Sequence, residues 1–216
     1  MNIILFKFTH EITGRFMMKN KIKLAFTLSE VLITLGIIGV VSAMTIPTLI
    51  SKYQKHIVEA NLQESYSIIQ QVMKYTEYDD VSFDVKIPDS LEGMKLWSET
   101  FLEPHLKYGK ICYNTSGCWQ AKVPTKNLKG NDAVCNRTGI GVGYDIITIK
   151  LTNGANLCLD GFSKSHMKRF FGTDITDAAS LVVYIDANGD RGPNIIGKDI
   201  YILAYTTNGL VPAGFS

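Results

Sequence analysis

The chain has 216 residues, 46% of them hydrophobic and 19% charged, with a formal net charge of +2. That length suits one domain plus a helical arm. Residues 1–25 hold five basic groups (Lys7, Arg15, Lys19, Lys21, Lys23) against one acid (Glu11), so the rest of the chain carries a net −2 and has no general basic footprint for nucleic acid.

Residues 1–25 are set aside as a leader. Met17 or Met18 would open a short basic segment, MKNKIKLA, and translation is expected to begin there; the alternative is an unusually long leader. From Phe26 to Ile50 the only ionisable side chain is Glu30. A helix over this stretch rises about 1.5 Å per residue to roughly 37 Å, enough to cross a bilayer core of about 30 Å. The lysines before it, Lys19, Lys21 and Lys23, should stay cytoplasmic, which exports the C-terminal bulk. Glu30 is the odd feature, because a carboxylate near the head of a membrane helix needs a partner. A cut between Ala25 and Phe26 would supply one: the new α-amine on Phe26 lies one turn from Glu30. The amine could pair with its own Glu30 or, in a packed filament, with a neighbour's.

The block Ala25-Phe26-Thr27-Leu28-Ser29-Glu30-Val31-Leu32 resembles the cleavage and methylation motif of type IV pilins and type II secretion pseudopilins. The resemblance implies cutting before Phe26 by a prepilin peptidase, methylation of the new amine, and assembly through Glu30. Gly39 and Pro47 fall where many members carry a helix glycine and proline. One departure is Ala25, where the family usually has Gly. The implied fold is α+β, a long N-terminal helix with a transmembrane first half, packed on a small antiparallel β-sheet head. The implied partners are the peptidase, other pilin or pseudopilin subunits in a helical filament, and an inner-membrane assembly platform. The implied location is the bacterial inner membrane, single-pass with the head exported, then a periplasmic or extracellular filament.

The helix should continue past the membrane. Val58, Leu62, Ser65, Ile69 and Val72 follow a 4,3 spacing opposite Lys55, Glu59, Gln63, Glu64, Gln70 and Lys74, which predicts an amphipathic half over 51–78 after the apolar half at 26–50. Pro47 should kink or locally melt it. Residues 79–216 then form the head. After a connection at 79–88, Ser90 caps a short helix with Met94, Trp97 and Phe101 on one face, ended by Pro104. Residues 110–140 read as an irregular excursion held by disulfides.

Cys112, Cys118, Cys135 and Cys158 all follow the apolar stretch, on the side where disulfides persist. Of the three possible pairings, Cys112 with Cys118 and Cys135 with Cys158 is favoured. Zinc is the rival, but Cys-x5-Cys does not match its usual ligand spacing. Four strands should follow: 145–151 and 155–160 joined by an Asn153-Gly154 hairpin, then 181–186 and 199–205, with a link at 163–179.

Between the last two strands, Asp186, Asn188 and Asp190 alternate like the first ligands of a calcium loop, with Asn194 and Asp199 as further oxygens. Gly197 stands where an EF-hand has its bidentate Glu. The alternative is a hairpin whose Asp and Asn side chains cap backbone amides. Some pseudopilins hold calcium in a loop near the C-terminus, so the resemblance adds some weight to Ca2+ as the one candidate cofactor, and both readings of the loop stay open. No enzyme signature emerges, since His56, His105 and His166 are scattered and the cysteines read as staples. Lys164, Lys168 and Arg169 beside Phe170 and Phe171 read as a solvated face, not a specific nucleic-acid signal. The function expected is thus a structural subunit, a pseudopilin or minor pilin, of a type IV pilus or type II secretion filament. The alternative is an uncleaved, membrane-anchored exported domain that binds a ligand.

Overall fold

The computed structural model describes residues 26–78, 87–120, 123–133, 136–137, 139–172, 179–206 and 209–212. The leader, Ala25, Cys135 and most of the expected connection at 79–88 lie outside the described residues. The chain divides into two compact units, Met1–Thr48 and Leu49–Ser216.

Helix α1 spans Leu28–Tyr78 and stays helical through Pro47. Its start is set by a reciprocal cap. Thr27 donates to Glu30 Oε2 from both its backbone N–H and its hydroxyl, each at 2.8 Å, while the Glu30 N–H donates to Thr27 Oγ1 at 3.2 Å. The Thr-x-x-Glu spacing is that of a capping box, which satisfies two orphan donors at once. The sequence offered Glu30 a partner only in the α-amine of a cut chain, and this cap supplies one without a cut. From Phe26 to Thr48 every residue except Ser42 is exposed. The hydroxyls of Thr34, Thr45 and Thr48 donate back to carbonyls one turn earlier, which removes them as unmet polar groups. By length and composition this helix could cross a membrane, with a mean hydropathy of 2.0 over its best window.

In the second unit, the 4,3 stripe turns inward as expected. Ile69, Val72 and Met73 are buried against Ile147, Ile149, Leu157, Leu159 and Val183 of the sheet. Polar ties add direction to that packing: Asn61 Nδ2 donates to the Ala187 carbonyl at 2.9 Å, and the Tyr66 hydroxyl to the Leu210 carbonyl at 3.2 Å. Helix α2, Leu91–Trp97, begins where Ser90 Oγ accepts from the Gly93 N–H. It runs on through a π turn, Ser98–Leu102, and a 3-10 turn, Glu103–His105, that contains Pro104. Met94, Trp97 and Leu102 join the same core.

The sheet has six antiparallel strands, not four, in the order β1-β4-β5-β6-β7-β8. They are β1 (Tyr108–Tyr113), β4 (Ile146–Leu151), β5 (Asn156–Ser163), β6 (Ala179–Asp186), β7 (Ile200–Thr206) and β8 (Gly209–Pro212). β2 (Asn136–Arg137) and β3 (Gly141–Val142) form a separate ribbon, and the expected link after β5 contains helix α3, Lys164–Phe171. Strand β6 is buried along its whole length because both faces are covered. Leu181, Val183 and Ile185 face the α1 core. Val182 and Tyr184 face a second core with Met167, Trp119, Val142 and Cys158. Side chains on a strand alternate between faces, so a strand covered twice reads as an unbroken apolar run.

Cys112 and Cys118 form the expected disulfide. Cys158 is a free, fully buried thiol, so the second bridge is not made at that residue. Its Sγ donates to the Val142 carbonyl at 3.5 Å, and burial pushes the thiol up, which leaves it inert as a nucleophile.

Asp160 on β5 is 9% exposed, and burial, then the charge of Asp145, pushes its carboxyl up to about 7 against one lowering bond from the Gly161 N–H. A carboxyl raised on folding holds a proton that the unfolded chain has already lost. Its contribution is therefore complete below the unfolded value of about 4 and is lost as pH rises towards 7, at most roughly 4 kcal/mol. Thermal unfolding of the detergent-solubilised chain at pH 5 and pH 8 should show the loss, and Asp160→Asn should reduce it.

Candidate metal centre

The β6–β7 pairing sets Asp186 opposite Ile200, which brings both ends of the 187–199 loop together. The Ala187 N–H donates to the Asp199 carbonyl at 2.9 Å and closes the loop neck. The first turn is tight. Gly189 donates to Asp186 Oδ1 at 3.0 Å with φ at 63°, and a Cβ there would collide with the carbonyl of Gly154 in the β4–β5 hairpin. Only glycine meets both conditions.

Asp199, 2% exposed, organises the rest. Its Oδ2 accepts from Asn188 Nδ2 at 3.0 Å and from the Asn194 N–H at 2.8 Å, and its Oδ1 accepts from the Ile195 N–H at 2.5 Å. Here the amide-capping alternative holds in full. It does not hold for three other oxygens. Asp186 Oδ2, Asn188 Oδ1 and Asn194 Oδ1 are buried and accept no hydrogen bond. Asp186 and Asn194 are each 0% exposed. A buried acceptor left unmet costs about 1–3 kcal/mol, so three in one loop is a large debt. Burial, then the charge of Asp199, pushes the Asp186 carboxyl up to about 8, against the N–H groups of Asn188 and Gly189.

Of the five expected ligands, Asp186, Asn188 and Asn194 keep a buried, unmet oxygen, and Asp199 holds the loop with both of its own. Asp190 is engaged elsewhere: its Oδ2 lies 2.5 Å from Lys150 Nζ, and its Oδ1 accepts from Asn156 Nδ2 at 3.4 Å. It is held against β4 and β5, which local spacing could not reveal. Among the described residues no three His, Cys, Asp or Glu side chains converge. The oxygens left open come from one carboxylate and two amides, Asp186, Asn188 and Asn194, all hard donors, which suit calcium and not zinc.

At the other expected site, Phe26 is 84% exposed and Glu30 is held by Thr27. Compared with known protein families, curated proteins and solved structures, the chain matches none.

Proposed function

We propose that this chain is a prepilin-like subunit, a pseudopilin or minor pilin. It would be cut after Ala25, methylated on Phe26, and assembled with other subunits through its N-terminal helix. The carrying observation is the exposure of that helix: Leu28, Leu32, Leu35, Ile38, Met44 and Leu49 are all more than half exposed. An apolar surface of this extent needs lipid, other helices or both. A Cβ at Gly36 or Gly39 would meet nothing within 4 Å, so both leave open notches for a neighbour. The head, an α+β sheet seated on the amphipathic half of the same helix, is the layout expected of the family. Prepilin peptidase and an inner-membrane assembly platform are the implied partners, and a periplasmic or extracellular filament the implied destination.

The rival is an uncleaved anchor that carries an exported ligand-binding domain. The Thr27–Glu30 cap favours it, because the carboxylate then has a use without any second subunit. The N-terminal residue of the chain from its native membrane separates the two, Phe26 for the subunit and a retained leader for the anchor.

The loop supports a second proposal, carried by the three unmet oxygens. Asp186, Asn188 and Asn194 would hold a calcium ion, with Asp199 setting their positions. When bound, the ion would supply the missing charge between two buried carboxylates and fix the head near its C-terminal strands.

A further inference from the structure

The loop at 123–133 is held to the 194–196 segment of the candidate metal centre by side-chain and backbone bonds. Asn194 donates from Nδ2 to the Val123 carbonyl at 3.2 Å, and its own carbonyl accepts from the Lys126 N–H at 2.9 Å. The Ile196 N–H then donates to the Lys126 carbonyl at 2.8 Å, and Lys126 bridges Ile195 in parallel. Leu128, 75% exposed, lies beside Gly197, where an added Cβ would meet its Cδ1 at 3.4 Å. Asn194 adopts a φ of 58°, a left-handed conformation in which its backbone and side chain serve both loops. The same side chain carries the buried, unmet Oδ1.

A side-chain amide has one oxygen and one NH2, set apart on opposite sides of the same carbon. A cation held at Oδ1 therefore fixes which way Nδ2 points, towards Val123. Without a cation the amide can turn over, which withdraws one of the two donors to the Val123 carbonyl, leaves only Gln120 Nε2, and sets an oxygen against that carbonyl. We propose that a divalent cation, calcium, at Asp186, Asn188 and Asn194 locks the 123–133 loop onto the head, so that the loop is closed in the bound state and opens without the ion. This rests on the calcium proposal above and adds a coupled second element to it.

Lys129 at the loop tip is exposed and provides the readout. Digestion of the full chain in detergent by a lysine-specific protease, with and without Ca2+, is paired with calorimetric titration by Ca2+. Cleavage after Lys129 should slow at least about tenfold in Ca2+, because proteolysis follows the population of the open state. Cleavage after Lys107, outside the loop, should not change. Asn194→Asp keeps an oxygen ligand but removes the Nδ2 donor, so it should still bind Ca2+ and lose the protection. Binding heat with an unchanged cleavage rate at Lys129 would overturn the coupling and leave the metal centre standing. No binding heat at all would overturn both.

Discussion

Glu30→Ala is expected to leave membrane insertion intact and to lower incorporation into filaments by roughly tenfold or more, scored in a strain that carries the assembly machinery. Insertion depends on the apolar length from Phe26 to Ile50 and on the lysines before it, and neither changes. Incorporation depends on what the carboxylate does once the chain is packed among other helices. Two roles are on the page, and Glu30→Gln divides them. A Gln side chain can still accept from the Thr27 N–H and complete the capping box, but it carries no charge to offer an α-amine. If the pairing with Phe26 operates, Glu30→Gln fails in assembly as badly as Glu30→Ala. If the cap with Thr27 is the whole role, Glu30→Gln assembles like the unaltered chain.

Ca2+ is expected to raise the unfolding temperature of the head by several degrees. A ligand that binds only the folded state stabilises it by about 2.7 kcal/mol at a hundredfold excess over its dissociation constant. For a unit of this size that is on the order of 5–10 °C. The source of the gain is specific. Asp186 Oδ2, Asn188 Oδ1 and Asn194 Oδ1 are buried without partners, so the ion has no protein hydrogen bonds to displace there. Asp186→Asn should abolish the calcium response by removing the one ionisable ligand with an open oxygen. Asp190→Asn should preserve most of it, because Asp190 is turned towards Lys150. A response lost equally in both variants would place the ion elsewhere.

The strongest signals in the sequence were those repeated over many residues. The apolar run and the 4,3 stripe placed α1 within two residues of its observed start. The four strands read correctly, β4, β5, β6 and β7, are the interior of the sheet, where burial demands Val, Ile and Leu at most positions. The two strands of this sheet that were missed are its edges, and the β2–β3 ribbon was missed with them. β1 reads YGKICY and β8 reads GLVP, and each has a neighbour on one side only, so Gly, Lys and Pro are tolerated there. Helix α3 was missed because only Met167 among its eight residues is buried, although Ser163 accepts from the His166 N–H as a regular cap. The candidate metal centre was legible as a list of oxygens but not as a geometry. That Asp190 would turn away depends on Lys150 and Asn156, which local spacing does not relate to it. The Thr27–Glu30 cap was fully legible as Thr-x-x-Glu, and attention to charge alone passed over it.

The subunit reading stands or falls on the covalent state of residue 26. Mass spectrometry of the N-terminal peptide, from chain extracted out of its native membrane, measures that state directly. The account predicts a peptide that begins at Phe26 with a methylated α-amine. A peptide that runs unbroken through Leu24 and Ala25 into Phe26 would contradict it.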